Sequence, residues 1–153
     1  MGRFLFSLEK VWQHRQRLVD LHSREVARAD RRMADLARDL VALDTSIHRQ
    51  EQTLATGEGH TLKARDLLAG YAWLEHLRRQ RETLDQVMMQ AARERDELRT
   101  RLTESWRDLE VLTRLRDKQE DDWKREEIRR ERREMDEIGQ VQAFGRGQAN
   151  NSA

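Results

Sequence analysis

LVALDTSIHRQEQTLATGEGHTLKARDLLAGYAWL, residues 40–74, sets two glycines between two apolar series of helical spacing. Leu40, Leu43, Ile47 and Leu54 precede the break; Leu67, Gly70 and Leu74 follow it. Glycine tolerates the left-handed backbone that ends a helix. The stretch therefore reads as a helix, a turn at residues 55–61 around Gly57 and Gly59, and a second helix that Thr61 is placed to cap.

Working outward, the first helix shows a seven-residue repeat. Leu5, Trp12, Val19, Val26, Met33, Leu40, Ile47 and Leu54 form one line. The companion line, three residues later, is Leu8, Arg15, His22, Ala29, Leu36, Leu43 and Gln50. A sustained heptad is the seam of a coiled coil. This predicts a helix over 5–54, about 75 Å long at 1.5 Å per residue. The second helix is predicted over 62–138. Its lines are Leu67, Leu74, Arg81, Met88, Arg95, Leu102, Leu109 and Gly70, Leu77, Leu84, Ala91, Leu98, Ser105, Leu112. The arginine stems can lie along apolar surface while their heads reach water.

The expected fold class is all-α: an antiparallel coiled-coil hairpin of two long helices, with the second overhanging. Folding the chain at Glu58–Gly59 sets Leu5 against Leu112, Val19 against Leu98, Met33 against Leu84 and Leu40 against Leu77. Trp12 then meets Ser105, Ile47 meets Gly70, Leu8 meets Leu109 and Leu43 meets Leu74. Large against small suits close packing. In this register the second helix loses its partner after Leu112. The segment DDWKREEIRRERREMDE, residues 121–137, has fourteen charges in seventeen positions and overhangs. Pairs such as Asp121–Arg125, Glu126–Arg130 and Arg133–Glu137 support an isolated helix by about 0.2–0.5 kcal/mol each. Residues 139–153 show no period and are expected to be a disordered tail.

Composition agrees. The chain of 153 residues has no proline and no cysteine, 39% charged residues and 5% aromatics. Proline-free, charge-rich sequence with periodic apolar residues is the signature of long helices. Disulfides and thiolate metal sites are excluded. Basic and acidic residues balance at 30 and 29, and their interleaving argues for a solvated surface over a nucleic-acid face. No apolar run approaches a membrane span, and MGRFLFS lacks a signal-peptide core. The expectation is a cytoplasmic protein without membrane insertion.

No catalytic constellation is present. His14, His22, His48, His60 and His76 lack metal-ligand spacing, and GRG at 145–147 is no phosphate loop. The chain is expected to be no enzyme and to use no metal and no cofactor. The signals that remain are interaction surfaces. Trp106, beside Ser105, is expected to shelter Trp12. Tyr71 and Trp73 flank the seam near the turn, where packing and binding are both open readings.

Three segments carry a resemblance: FLFSLEKVWQHRQ at the start, GYAWLEHLRRQRETL after the turn, and RREMDEIGQVQAFGR near the end. In this order they resemble the FliJ family of bacterial flagellar protein export, over nearly the whole chain. The stalk proteins of virulence type III secretion share the plan; the MDE pattern favours the flagellar branch. The resemblance implies a non-catalytic stalk similar to the two-helix part of rotary ATP synthases. Its implied partners are the hexameric export ATPase, the membrane-embedded export gate protein FlhA and substrate-free export chaperones. It implies a place in the cytoplasm, peripheral to the cell membrane. The implied ATPase-ring contact comprises Phe4, Phe6, Trp106, Trp123, Ile128, Met135 and Ile138; the implied gate contact comprises Tyr71, Trp73, Leu74 and Leu77. A structural coiled-coil adaptor that self-associates through its seams is the alternative, and a nucleic-acid-binding helical protein is a third reading.

Overall fold

The computed structural model describes residues 2–58 and 63–150. It is an all-α helical hairpin of two helices, α1 (Glu9–Glu58) and α2 (Ala64–Asn150). The chain has no proline to interrupt either helix. The amides of Asp66 and Leu67 both donate to the carbonyl of Lys63, which closes the first turn of α2. Asp66 lies in that turn, where a carboxylate complements the helix dipole.

Contacts divide the chain into two compact units, Met1–Arg17 with Trp106–Ala153, and Leu18–Ser105. In each, α1 and α2 pack antiparallel along the predicted seams. In Leu18–Ser105 the seam residues from Val19 to Leu54 and from Leu67 to Ser105 are all buried or half-buried. Val19, Leu54, Leu74, Leu77 and Ala91 are its buried apolar residues. Leu109 and Phe6 fill that place in the other unit.

The pairing is one heptad away from the expected one. Gly70 was expected opposite Ile47, but a methyl placed on it would come 2.7 Å from Leu54 Cδ2. Gln50 Nε2 also donates to the Gly70 carbonyl at 3.2 Å. Ser105, expected opposite Trp12, meets His22 Nδ1 at 2.6 Å. In the unit of the two termini, Trp12 Nε1 donates to Thr113 Oγ1 at 2.9 Å. Heptads repeat, so the seam looks alike at every multiple of seven, and only the turn centre fixes the register. That centre lies further along than expected: α1 continues through Gly57 to Glu58. Gly59 and the expected cap Thr61 lie outside the described residues. No glycine among the described residues has a positive φ.

Two other helix ends differ. Residues 2–6 precede α1 in non-helical backbone, with a turn at Ser7 and Leu8, although the first helix was expected from Leu5. The second helix, expected to stop at Ile138, runs on to Asn150. Glycine lowers helix propensity by about 1 kcal/mol but leaves the hydrogen-bond ladder intact, and no proline follows.

Seam arginines behave as their chemistry dictates. Arg81 lies half-buried along the seam and sends its guanidinium to Asp44 at 2.5 Å and to Asp85 at 2.9 Å. The hydrogen bond that Arg81 donates to Asp44, and the charges of the Asp44 and Asp85 carboxylates, hold Arg81 still further in its protonated form. Arg95 is also half-buried, its head reaching Asp96 at 3.4 Å.

Candidate interaction surfaces

All seven residues of the expected ring contact fall in the unit that joins the two termini. The structure separates them into two groups. Phe6, in the non-helical segment, is 7% exposed. Phe4 is half-buried, its ring 6.1 Å from that of Trp123. The position of Gly2 approaches Glu127, whose Oε1 would lie 3.6 Å from an added Cβ. Residues 2–8 thus form a strap laid along α2 as far as Glu127. The expected bare face beyond Leu112 is therefore covered for several more turns. An extended chain advances about 3.3 Å per residue against 1.5 Å for helix, so a short strap covers a long stretch of α2.

The strap was legible in a signal that the heptad reading passed over. Phe4 and Phe6 alternate with Leu5 and Ser7, a period of two. The structure keeps that alternation: Phe4 is half-buried against Trp123 and Phe6 is buried, while Leu5 is 80% exposed. Burying two phenylalanines gains at most about 3–6 kcal/mol. Ordering some five backbone residues costs about 5–10 kcal/mol. The two are of similar size, so the strap is docked near balance.

Behind the strap the end of α1 is tied more firmly. Glu9 accepts from Arg116 at 3.4 Å, and the Arg116 guanidinium stands 4.7 Å over the Trp12 ring. Arg15 meets Asp108 at 3.0 Å. Trp106, expected to shelter Trp12, is exposed; Trp12 finds its cover in Thr113 and Arg116 instead.

The second group is open. Ile128, Met135 and Ile138 are exposed along α2, and Val141 and Phe144 continue the exposure past Gly139. Charges around them pair within the helix. Lys124 meets Glu120 at 3.0 Å, Arg129 meets Glu126 at 3.6 Å, and Arg130 meets Glu127. The expected Glu126–Arg130 pair is replaced, because residues three apart are also neighbours on a helix surface. Glu126 takes Arg129 and Arg133.

The expected gate contact lies in the Leu18–Ser105 unit and is likewise split. Tyr71 and Trp73 are exposed, with Trp73 5.3 Å from the ring of His76. Leu74 and Leu77 are 5% and 4% exposed, so they belong to the seam and offer no surface to a partner. Among the described residues no helix is long and apolar enough to cross a membrane, and no group of three or more His, Asp and Glu could hold a metal.

A family model, Flagellar FliJ protein, matches residues 4–148. The chain belongs to the FliJ family. It is a component of the flagellar export apparatus, in a family without catalytic function. The match runs through the strap, both helices and the apolar positions at the end of α2. No curated protein matches the chain, and no solved structure matches it.

Proposed function

We propose that this FliJ-family chain is the non-catalytic stalk of the flagellar export apparatus, engaging the export ATPase ring through the end of α2. The observation that carries this is the apolar stripe of Ile128, Met135 and Ile138, exposed on a helix already formed without a partner. Exposed apolar residues at helical spacing are the anchors of helix-in-groove recognition. The surrounding charges are exposed and paired locally, so they add solubility and long-range steering more than binding strength.

Ring engagement promotes assembly of the ATPase hexamer. Tyr71 and Trp73 are the contact to the gate protein FlhA, with Leu74 and Leu77 holding α2 in place beneath them. Export chaperones freed of substrate are a further partner class. The protein works in the cytoplasm, peripheral to the membrane at the export apparatus.

The test compares the full chain with a chain ending at Glu127, which keeps the seat of the strap and removes the stripe. A second variant carries Ile128→Gln, Met135→Gln and Ile138→Gln. Ring assembly and ATP hydrolysis by the export ATPase are measured with each. The expected result is stimulation by the full chain and loss of stimulation in both variants, with circular dichroism showing the helices of the triple variant intact. Stimulation by the chain ending at Glu127 equal to that of the full chain overturns the proposal.

A further inference from the structure

We propose that the strap, residues 2–8, is a displaceable cover that hides the Trp123 face of α2 until a partner takes the end of that helix. The proposal rests on the stalk reading above and adds regulation to the same surface. Three observations carry it. The strap sits where heptad sequence would allow helix, yet Gly2–Phe6 is non-helical. Phe4 against Trp123 holds it to α2 and Phe6 is buried, while its two backbone hydrogen bonds go to α1, with Phe6 O accepting from Glu9 N at 3.1 Å and Leu8 O from Trp12 N at 2.9 Å. The face it covers, half-buried Gln119, Trp123 and Glu127, adjoins the open position Ile128.

Lifting the strap therefore lengthens the helix surface available to a partner by about two turns, and adds a tryptophan to its apolar positions. Tryptophan is among the residues that contribute most at interfaces. Phe4 and Phe6 then act on the partner indirectly, by covering or uncovering α2. A partner that needs the Trp123 face binds only the open fraction, and its apparent affinity falls by that fraction.

The chain has no cysteine, so Gly2→Cys gives a single labelling site. An oxazine dye there is quenched on contact with Trp123 and reports the strap, while its anisotropy reports binding. In the free chain the dye is expected to be dim, to brighten severalfold with Trp123→Phe or Phe4→Ala, and to fluctuate reversibly on the nanosecond-to-microsecond scale of terminal segments. Adding the export ATPase should raise anisotropy and brightness together. Phe4→Ala should bind about tenfold more tightly if the closed form leads by about ten to one.

A rise in anisotropy with the dye still quenched overturns the cover, as does weaker binding by Phe4→Ala. If anisotropy does not rise, the stalk reading fails, and the cover is judged in the free chain. Reversible fluctuation removed by Trp123→Phe supports it there; steady quenching overturns it.

Discussion

Gly70 and Leu54 give the sharpest test of the packing. An added Cβ on Gly70 would lie 2.7 Å from Leu54 Cδ2 and 3.2 Å from Gln50 Nε2. Leu54 is 5% exposed, so it has little room to retreat. Gly70→Leu should therefore overpack this layer by about 1–3 kcal/mol. Replacing glycine within a helix returns about 1 kcal/mol, which leaves a net loss of about 0–2 kcal/mol. Leu54→Ala alone opens a cavity and should cost about 2–5 kcal/mol. If the two positions face each other, leucine at 70 fills the space vacated at 54. The double variant Leu54→Ala with Gly70→Leu should then lie at least about 2 kcal/mol above the sum of the singles, well outside the additivity of independent sites. Urea unfolding followed at 222 nm measures all three. Ile47→Ala with Gly70→Leu is the decisive control, because Ile47 faces Gly70 in the register one heptad away. Rescue by Ile47→Ala and additivity with Leu54→Ala would refute the register argued from the structure.

Other substitutions separate seam from surface. Leu77→Ala should cost about 2–5 kcal/mol in urea unfolding, since Leu77 is 4% exposed. Trp73→Ala, at a side chain 52% exposed, should stay within about 1 kcal/mol and show its effect in gate-protein pull-down instead. Thr113→Val removes the acceptor of the Trp12 indole and should cost about 1 kcal/mol, read by the same unfolding assay. Raising salt from 0.1 to 1 M should leave the unfolding midpoint nearly unchanged, because even the ion pairs that join the two helices are solvent-exposed.

The seams were legible because a heptad of apolar residues is a local pattern that needs no knowledge of the partner. Every line position from Val19 to Leu54 and from Leu67 to Leu112 is buried or half-buried. Register was less legible for the same reason: a periodic seam fits its partner at each heptad, and the one aperiodic marker was read as a turn centred a few residues early. Gly70 is the instructive case. The sequence marks it as the small half of a large–small layer, with Ile47 as the large partner in the expected register; in the structure that partner is Leu54. The start of the chain failed differently. Leu5 and Leu8 keep the heptad in sequence but not in space, because Phe4 and Phe6 bury better with extended backbone. Of the two surface sets, the exposed Ile128, Met135 and Ile138 followed from the absence of an opposing segment. Leu74 and Leu77 were grouped with a contact surface through sequence proximity to Tyr71 and Trp73, where alternation around the helix sends them inward.

The end of α2 poses a physical problem that its sequence answers. A helix without a tertiary partner must be held by its own side chains, since most helical stability in proteins comes from packing. Three neighbouring pairs, Lys124–Glu120, Arg129–Glu126 and Arg130–Glu127, supply the substitute, and Arg133 also reaches Glu126 from two turns away. The three contribute roughly 0.6–1.5 kcal/mol at about 0.2–0.5 kcal/mol each. That is enough to bias the helix and too little to occupy its apolar stripe. A partner that docks on Ile128, Met135 and Ile138 then meets a surface whose backbone is already ordered, and avoids about 1–2 kcal/mol per residue of ordering. Dense charge and sparse apolar residues are thus two parts of one design: the charges keep the helix formed and soluble, and the apolar stripe stays free for binding. Replacing Glu126, Glu127, Arg129, Arg130 and Arg133 together by glutamine, of similar helix propensity, leaves the stripe intact and removes every pair but Lys124–Glu120. Helicity at 222 nm should fall, and ring engagement should weaken with it. Full helicity in that variant would mean that the pairs are not what holds the helix.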